Sequence, residues 1–246
     1  MDKLLLTVCI LAFGLAGFAA APSKYEKDVI ATSQGDLEIT FLGHGTLMMS
    51  FDGLTIHIDP YGAVADYGAL PKADLVLVTH EHSDHLDPAA LKAILKPDST
   101  VVASKACVAK FPGAVLLANG ESHTVLGLKV EAVPAYNIVH ERSKGNPFHP
   151  KGTGNGYVVA FGDKRIYIAG DTENTPEMKA LKNIDVAFLP MNPPFTMTPA
   201  EAAECAKAFK PKIVYPFHHR GQDPKVFAAA LAGEPIDVRI LNWYPE

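Results

Sequence analysis

The chain reads as a layered α/β fold in one compact unit. Short aliphatic runs of strand length recur in both halves of the 246 residues, helix-start signals stand between them, and the length suits a single domain. Periodicity leaves the type of layering open.

The elements follow in order. Lys3 is followed by an apolar or small-residue run from Leu4 to Ala21, and Ala19-Ala20-Ala21 before Pro22 offers a small-residue cleavage site. Residues 1–21 are therefore expected to be a Sec-type signal peptide, with 22–36 as a polar linker and 37–246 as the folded domain. An uncleaved anchor is the competing reading, disfavoured by the Gly/Ala-rich second half of the run. Strands are expected at Leu37 to Leu42, Leu47 to Phe51 and Leu54 to Ile58, with Asp52-Gly53 as the hairpin turn. Leu75 to Val78 is apolar at every position, as in a strand buried on both faces. Asp87-Pro88 opens a helix to about Leu95, with Asp as cap and Pro at the first position.

Short strands follow near Thr100 to Ala103, Val115 to Leu117, His123 to Val125 and Leu128 to Val133. Pro134 to Gly156 is the longest stretch without periodicity, a length at which loops are commonly functional. The second half gives strands at Gly156 to Phe161, Arg165 to Ala169, Asp185 to Leu189, Lys212 to Phe217 and Asp237 to Leu241. Helices are expected at Pro176 to Leu181, Thr198 to Phe209 and Pro224 to Ala232, the second opened by the capping box of Thr198 and Glu201.

The most informative segment is LVLVTHEHSDHLD, which places His80, His82, Asp84 and His85 in the pattern H-x-H-x-D-H directly after an aliphatic strand. Alternate residues of an extended segment point the same way, so His80 and His82 can share one metal ion while Asp84 and His85 aim at a second. A His-rich surface turn is the bland alternative. Against it, Asp171 ends the strand in IYIAGDTEN and can bridge two ions, and His218 and His219 end the strand in KIVYPFHHR.

These motifs, THxHxDH, GDT and a late P-x-H in that order, resemble those of the metallo-β-lactamase superfamily over nearly all of the mature chain. FLGHGT, IHIDPY and FTMTPAEAAE are similar to segments of its branch of metal-dependent hydrolases related to ascorbate-6-phosphate lactonase and N-acylphosphatidylethanolamine phospholipases. The resemblance implies an αββα sandwich with ligands at one edge between the sheets. It implies His80, His82, Asp84, His85, Asp171 and His218 as metal ligands, and Asp84 and Asp171 as the residues nearest the chemistry. Two divalent ions are then expected, zinc by default with Mn or Fe admitted by the same imidazole and carboxylate donors, sharing a bridging hydroxide that attacks an ester, lactone, amide or phosphodiester.

Asp59 in IHIDPY is expected to accept a hydrogen bond from a ligating imidazole, with a turn-capping role equally open. His44 in GHGT reads as an exposed turn residue, with a metal or substrate contact as the alternative because the resemblance places the motif near the pocket. Relatives with a full ligand set carry a third histidine between H-x-H-x-D-H and GDT. Here Asn137 stands at that place, so His149, between Pro147 and Pro150, is expected to reach back to the metal or substrate, with an ordinary loop histidine as the competing reading and His140 or Asn137 itself as alternatives.

Composition narrows the function. A net charge of -5 without a basic stripe argues against nucleic acid, leaving a small-molecule substrate. No stable membrane anchor is expected once the leader is removed, and the protein would be periplasmic or secreted. Cys107 and Cys205 remain after cleavage and read as buried free thiols. A catalytically inactive metal-binding relative is the rival reading. Oligomeric state and substrate are not legible.

Overall fold

The computed structural model describes residues 24–244. The expected signal peptide, residues 1–21, lies outside the described residues.

The first half builds one sheet. Strands β1 (Lys27–Thr32), β2 (Gly35–Gly43), β3 (Thr46–Phe51), β4 (Leu54–Ile58) and β5 (Leu75–Val78) lead into helix α1 (Pro88–Ile94), then β6 (Thr100–Ala103), helix α2 (Lys105–Lys110) and β7 (Val115–Leu116). These strands lie side by side in chain order, antiparallel from β1 to β4 and parallel from β4 to β7. The second half gives β8 (Ser122–Val125), β9 (Leu128–Ala135), a small hairpin of β10 (Glu141–Ser143) and β11 (Asn146–Pro147), then β12 (Gly154–Phe161) and β13 (Lys164–Ile168). Helix α3 (Pro176–Lys179), β14 (Val186–Pro190), α4 (Pro199–Phe209), β15 (Ile213–Phe217), α5 (Pro224–Ala230) and β16 (Asp237–Val238) complete it. The second sheet runs in the order β16-β15-β14-β13-β12-β9-β8.

Alternation along the strands sorts the core into three layers. Leu75 and Leu77 of β5 face the central layer, where they join Phe41, Tyr157, Ile166, Phe188 and Tyr215 from both sheets. Val76 and Val78, one residue out of phase, pack under α1 and α2 with Leu91, Ile94 and Cys107. On the other side Tyr167, Ala187 and Leu189 pack against Ala202, Cys205 and Phe209 of α4 and Phe227 of α5. The result is helix, sheet, sheet, helix: the expected αββα sandwich.

The local signals are visible in the caps. Asp87 Oδ1 accepts hydrogen bonds from Ala89 N at 2.8 Å and Ala90 N at 3.2 Å, and Thr198 and Glu201 form the capping box. Asp52 and Gly53 turn the β3–β4 hairpin with φ of 47° and 76°, the left-handed pair that two-residue hairpins require. Cys107 and Cys205 are both free and buried. No described helix is long and apolar enough to cross a membrane.

Two expectations need correction. The segment 22–36 is not a linker throughout, because Lys27–Thr32 is an edge strand paired with β2. Only Ile30 of that strand is buried, so it carries almost no hydrophobic signature and is held by main-chain pairing and by Asp28, whose Oδ2 accepts from Tyr215 Oη at 2.6 Å and Arg239 Nη1 at 2.7 Å. The stretch 134–156 is likewise more regular than its composition suggests: β9 extends to Ala135, β12 starts at Gly154, and the β10–β11 hairpin fills part of the interval.

His57, in β4, is fully buried and donates through Nε2 to the carbonyl of Pro71 at 3.0 Å. Burial pushes its pKa down to about 4. The unfolded chain takes up this proton near pH 6.5 and the folded one only near pH 4, so His57 costs stability progressively as pH falls through that window. Between pH 7 and 4 wild-type protein should lose about 3 kcal/mol more stability than His57→Gln. Urea unfolding at matched metal content checks this; equal losses in the two proteins would contradict it.

Candidate metal centre

The site forms where strands of both sheets end. β5 stops at Val78 and the chain turns through Thr79, His80 and His82 to Asp84 and His85; β13 leads into Asp171, and β15 into His218. His149 arrives from the loop after β11. Sheet one thus supplies one wall and sheet two the other.

Potential donor atoms fall into overlapping sets, each within 4.8 Å: His80, His82 and His149; His44, Asp84, His85 and His218; and His80, His85 and Asp171. Asp171 stands between them. Its Oδ2 lies 3.4 Å from His149 Nε2 and 4.0 Å from His80 Nε2, while its Oδ1 lies 3.5 Å from both His85 Nε2 and His218 Nε2. One oxygen therefore faces His80 and His149 and the other His85 and His218.

The fit to a metal ion rests on unpaired atoms. His85 Nε2, His149 Nε2, His218 Nε2 and Asp171 Oδ1 are all buried without a hydrogen-bond partner. Leaving one such group unsatisfied costs about 1–3 kcal/mol, so four converging on one space are accounted for by a group that takes their lone pairs. Imidazole and carboxylate donors without thiolate suit Zn, Mn or Fe.

Electrostatics point the same way. Burial drives the His80 pKa well below its usual value and that of His149 down to about 4, leaving them neutral, the form that binds metal. His82 and His44 are also lowered, chiefly by burial. Burial opposes charge on His85 too, but Asp171, Asp59 and Asp84 outweigh it and raise its pKa to about 9. Burial likewise works against ionised Asp171, yet His218, His85, His80 and His149 hold its carboxyl well below the usual range. Asp84 is held low in the same way by His218, His44 and His85.

Asp59 holds the imidazoles from behind. Its Oδ2 is 2.8 Å from His85 Nδ1 and accepts from Thr79 Oγ1 at 2.6 Å, and its Oδ1 accepts from Thr79 N at 2.7 Å. Thr79 Oγ1 in turn lies 3.0 Å from His80 Nδ1. One carboxylate thereby turns Nε2 of both His80 and His85 inward. Thr79 stood in the sequence motif without an assigned role.

The backbone is specialised here. Asp59, His44 and His218 all have left-handed φ, at 46°, 53° and 47°, a conformation that non-glycine residues keep only when their surroundings enforce it. Gly45 is required by packing, since a Cβ there would meet His85 Cε1 at 2.9 Å.

Three residues that the sequence left open find their surroundings here. His44 is buried, not an exposed turn residue: its Nε2 is 3.0 Å from Asp84 Oδ2 and its ring centroid 3.7 Å from that of His218. Asn137 is not placed as a metal contact, because its Oδ1 accepts from His149 N at 2.7 Å and lies 2.8 Å from His149 Nδ1. Its Nδ2 donates to Glu173 Oε1 and Phe195 O, both at 2.9 Å. His140 lies outside the donor sets, with Nδ1 3.0 Å from Glu173 Oε1. So His149 faces the cluster, and the amide at the customary histidine position orients it.

Glu173 was overlooked by sequence reasoning. It follows GDT by one residue, and its carboxylate accepts from the main-chain N–H of Ile138, Val139 and His140 as well as from Asn137. That arrangement folds the loop that carries Asn137.

The motifs and the fold agree with what the chain is similar to. The family model described as beta-lactamase superfamily domain matches residues 38–218. The chain belongs to the beta-lactamase superfamily. A UPF0173 metal-dependent hydrolase of Pelotomaculum thermopropionicum is 33% identical over 224 residues, covering 84% of this chain and 97% of the relative. One from Desulforamulus reducens is 30% identical over 210 residues, 79% of this chain and 92% of the relative. A crystal structure of a provisionally assigned metal-dependent hydrolase from Parabacteroides distasonis superposes with a TM-score of 0.84 at 46% identity, covering 88% of this chain and 98% of that one.

The Glu173–Asn137–His149 chain predicts an effect at a distance. Asn137→Ala should weaken metal binding by about 10- to 100-fold, the usual cost of losing an outer partner of a ligand. Competition titration with a chromophoric chelator measures it; unchanged affinity would mean that His149 is not a ligand.

Proposed function

We propose that this protein is a hydrolase that works with two divalent metal ions, zinc by default, on a small molecule with an ester, lactone, amide or phosphodiester bond. The observation that carries this reading is the position of Asp171, with one oxygen toward His80 and His149 and the other toward His85 and His218. His80, His82 and His149 would hold one ion, Asp84, His85 and His218 the other, and Asp171 both. Divalent ions in such a site bring the pKa of water toward neutrality and polarise the oxygen of the bond to be cleaved.

The chain's own groups do the rest. Asp84, partly exposed, accepts from Nε2 of neutral His44 at 3.0 Å at the edge of the cleft, a tautomer that leaves His44 Nδ1 as the ring's acceptor. The lowered pKa of His44, set chiefly by burial, leaves it neutral at pH 7 and able to accept. Asp59, fully buried, keeps the imidazoles aligned without reaching the cleft. Asn192 and Phe195 form the opposite rim.

The relatives named metal-dependent hydrolases support the reaction class, and neither they nor the fold specify the substrate. Export is part of the proposal, on the strength of the leader-like run from Leu4 to Ala21.

Two experiments bear on it. Asp171→Ala should hold one metal ion or fewer per chain by elemental analysis, and its turnover of activated esters should fall more than about a hundredfold. Two ions with full turnover would contradict the bridging role. Mass spectrometry of protein from the native host should find a mature chain starting near Pro22; an intact Met1 would exclude cleavage.

A further inference from the structure

On a chain with a net charge of -5, two arginines line the cavities over and beside the donor sets, Arg142 in one and Arg220 in the other. Arg142, on β10, lines a cavity of about 310 Å³ together with Asp84, His149, Asp171 and His218. Its guanidinium stacks 5.1 Å from the centroid of Phe148, whose ring packs edge-on against Phe195 at 4.9 Å. That platform sets the guanidinium in advance of any ligand.

Arg142 lacks a carboxylate partner among the described residues. Its neighbour Glu141 accepts from Gly145 N instead, and Asp84 and Asp171 are engaged with histidines. Among the described residues the polar contact of the guanidinium is His82 Nε2, 3.5 Å from Nη2. His82 Nδ1 is the atom on the side of His80, 3.1 Å from its Nε2. If Nδ1 is the ligand atom, Nε2 must carry the ring proton and can no longer accept from Arg142. The guanidinium, exposed to solvent, would then turn its donors outward at the mouth of the cleft, where a phosphate or carboxylate can accept two of them at once.

The same rim residues, Ser83, Asp84, Asn192 and Phe195, also line a larger chamber of about 870 Å³ that reaches Arg220. The two spaces adjoin at that rim, and the chamber is the size of a small-molecule site. Arg220 also has no carboxylate partner among the described residues.

We propose that this cleft contains an anion subsite anchored by Arg142, and that the substrate is a small molecule bearing a phosphate or carboxylate group. The proposal rests on the hydrolase reading for the word substrate, but not for the binding.

Two arms separate those dependencies. In the first, inorganic phosphate and succinate are titrated into metal-free and metal-loaded protein by calorimetry, with wild type and Arg142→Gln compared. At least one of the anions should bind the wild type in both states, and Arg142→Gln should weaken it tenfold or more. Preference for phosphate or for succinate identifies the group. In the second, the metal-loaded proteins are given p-nitrophenyl acetate, mono-p-nitrophenyl succinate and bis-p-nitrophenyl phosphate. The kcat/KM ratio of the preferred anionic ester to acetate should fall at least tenfold in Arg142→Gln, with Arg142→Lys intermediate and metal content verified for each. Equal anion affinity in wild type and Arg142→Gln would overturn the subsite. Failure to cleave any ester, with Arg142-dependent anion binding intact, would count against the hydrolase reading and leave the subsite standing.

Discussion

A buried carboxylate among imidazoles is the constraint on which this structure depends. Asp171 is almost entirely removed from water, and one of its oxygens has no hydrogen bond at all. An ionised group in that position is tolerable only if positive charge faces it closely. Of the histidines around it, His85, whose pKa, despite burial, the nearby carboxylates raise to about 9, supplies such charge. The preference of these side chains for a cation follows from Coulomb's law before any reaction is considered.

The fold converts this local demand into a global one. His80, His82, Asp84 and His85 belong to sheet one, whereas Asp171, His218 and His149 belong to sheet two or its loops. Neither half can assemble the centre alone. The apolar layer between the sheets, with Phe41, Tyr157, Phe188 and Tyr215 at its middle, fixes their separation and so the distance between the donor sets. The left-handed backbone at Asp59, His44 and His218 is local strain of the kind that such packing can sustain.

Much of this was legible in the sequence, for identifiable reasons. H-x-H-x-D-H announces itself because alternate positions after a strand share a face, and the strands Leu54–Ile58 and Leu75–Val78 followed from an Asp-Gly turn and an unbroken apolar run respectively. What escaped were features defined by distant neighbours. Edge strand β1 has one buried residue and so no periodic signal. His44 looks like a turn residue until His218 and Asp84 close over it. Asn137 falls where a ligand is expected, yet its amide serves His149 twelve residues on, and Glu173 serves Asn137 from across the sheet. Side-chain chains of this kind leave no spacing rule behind.

The central claim is that Asp171 lies between two metal ions with separate histidine sets. Anomalous diffraction from crystals of the metal-loaded protein, collected above and below the absorption edge of the bound element, tests it directly. The account predicts two peaks, one in contact with His80, His82 and His149 and the other with Asp84, His85 and His218, with an oxygen of Asp171 ligating each. A single peak at full metal occupancy, or two peaks with His149 turned away from both, would contradict it.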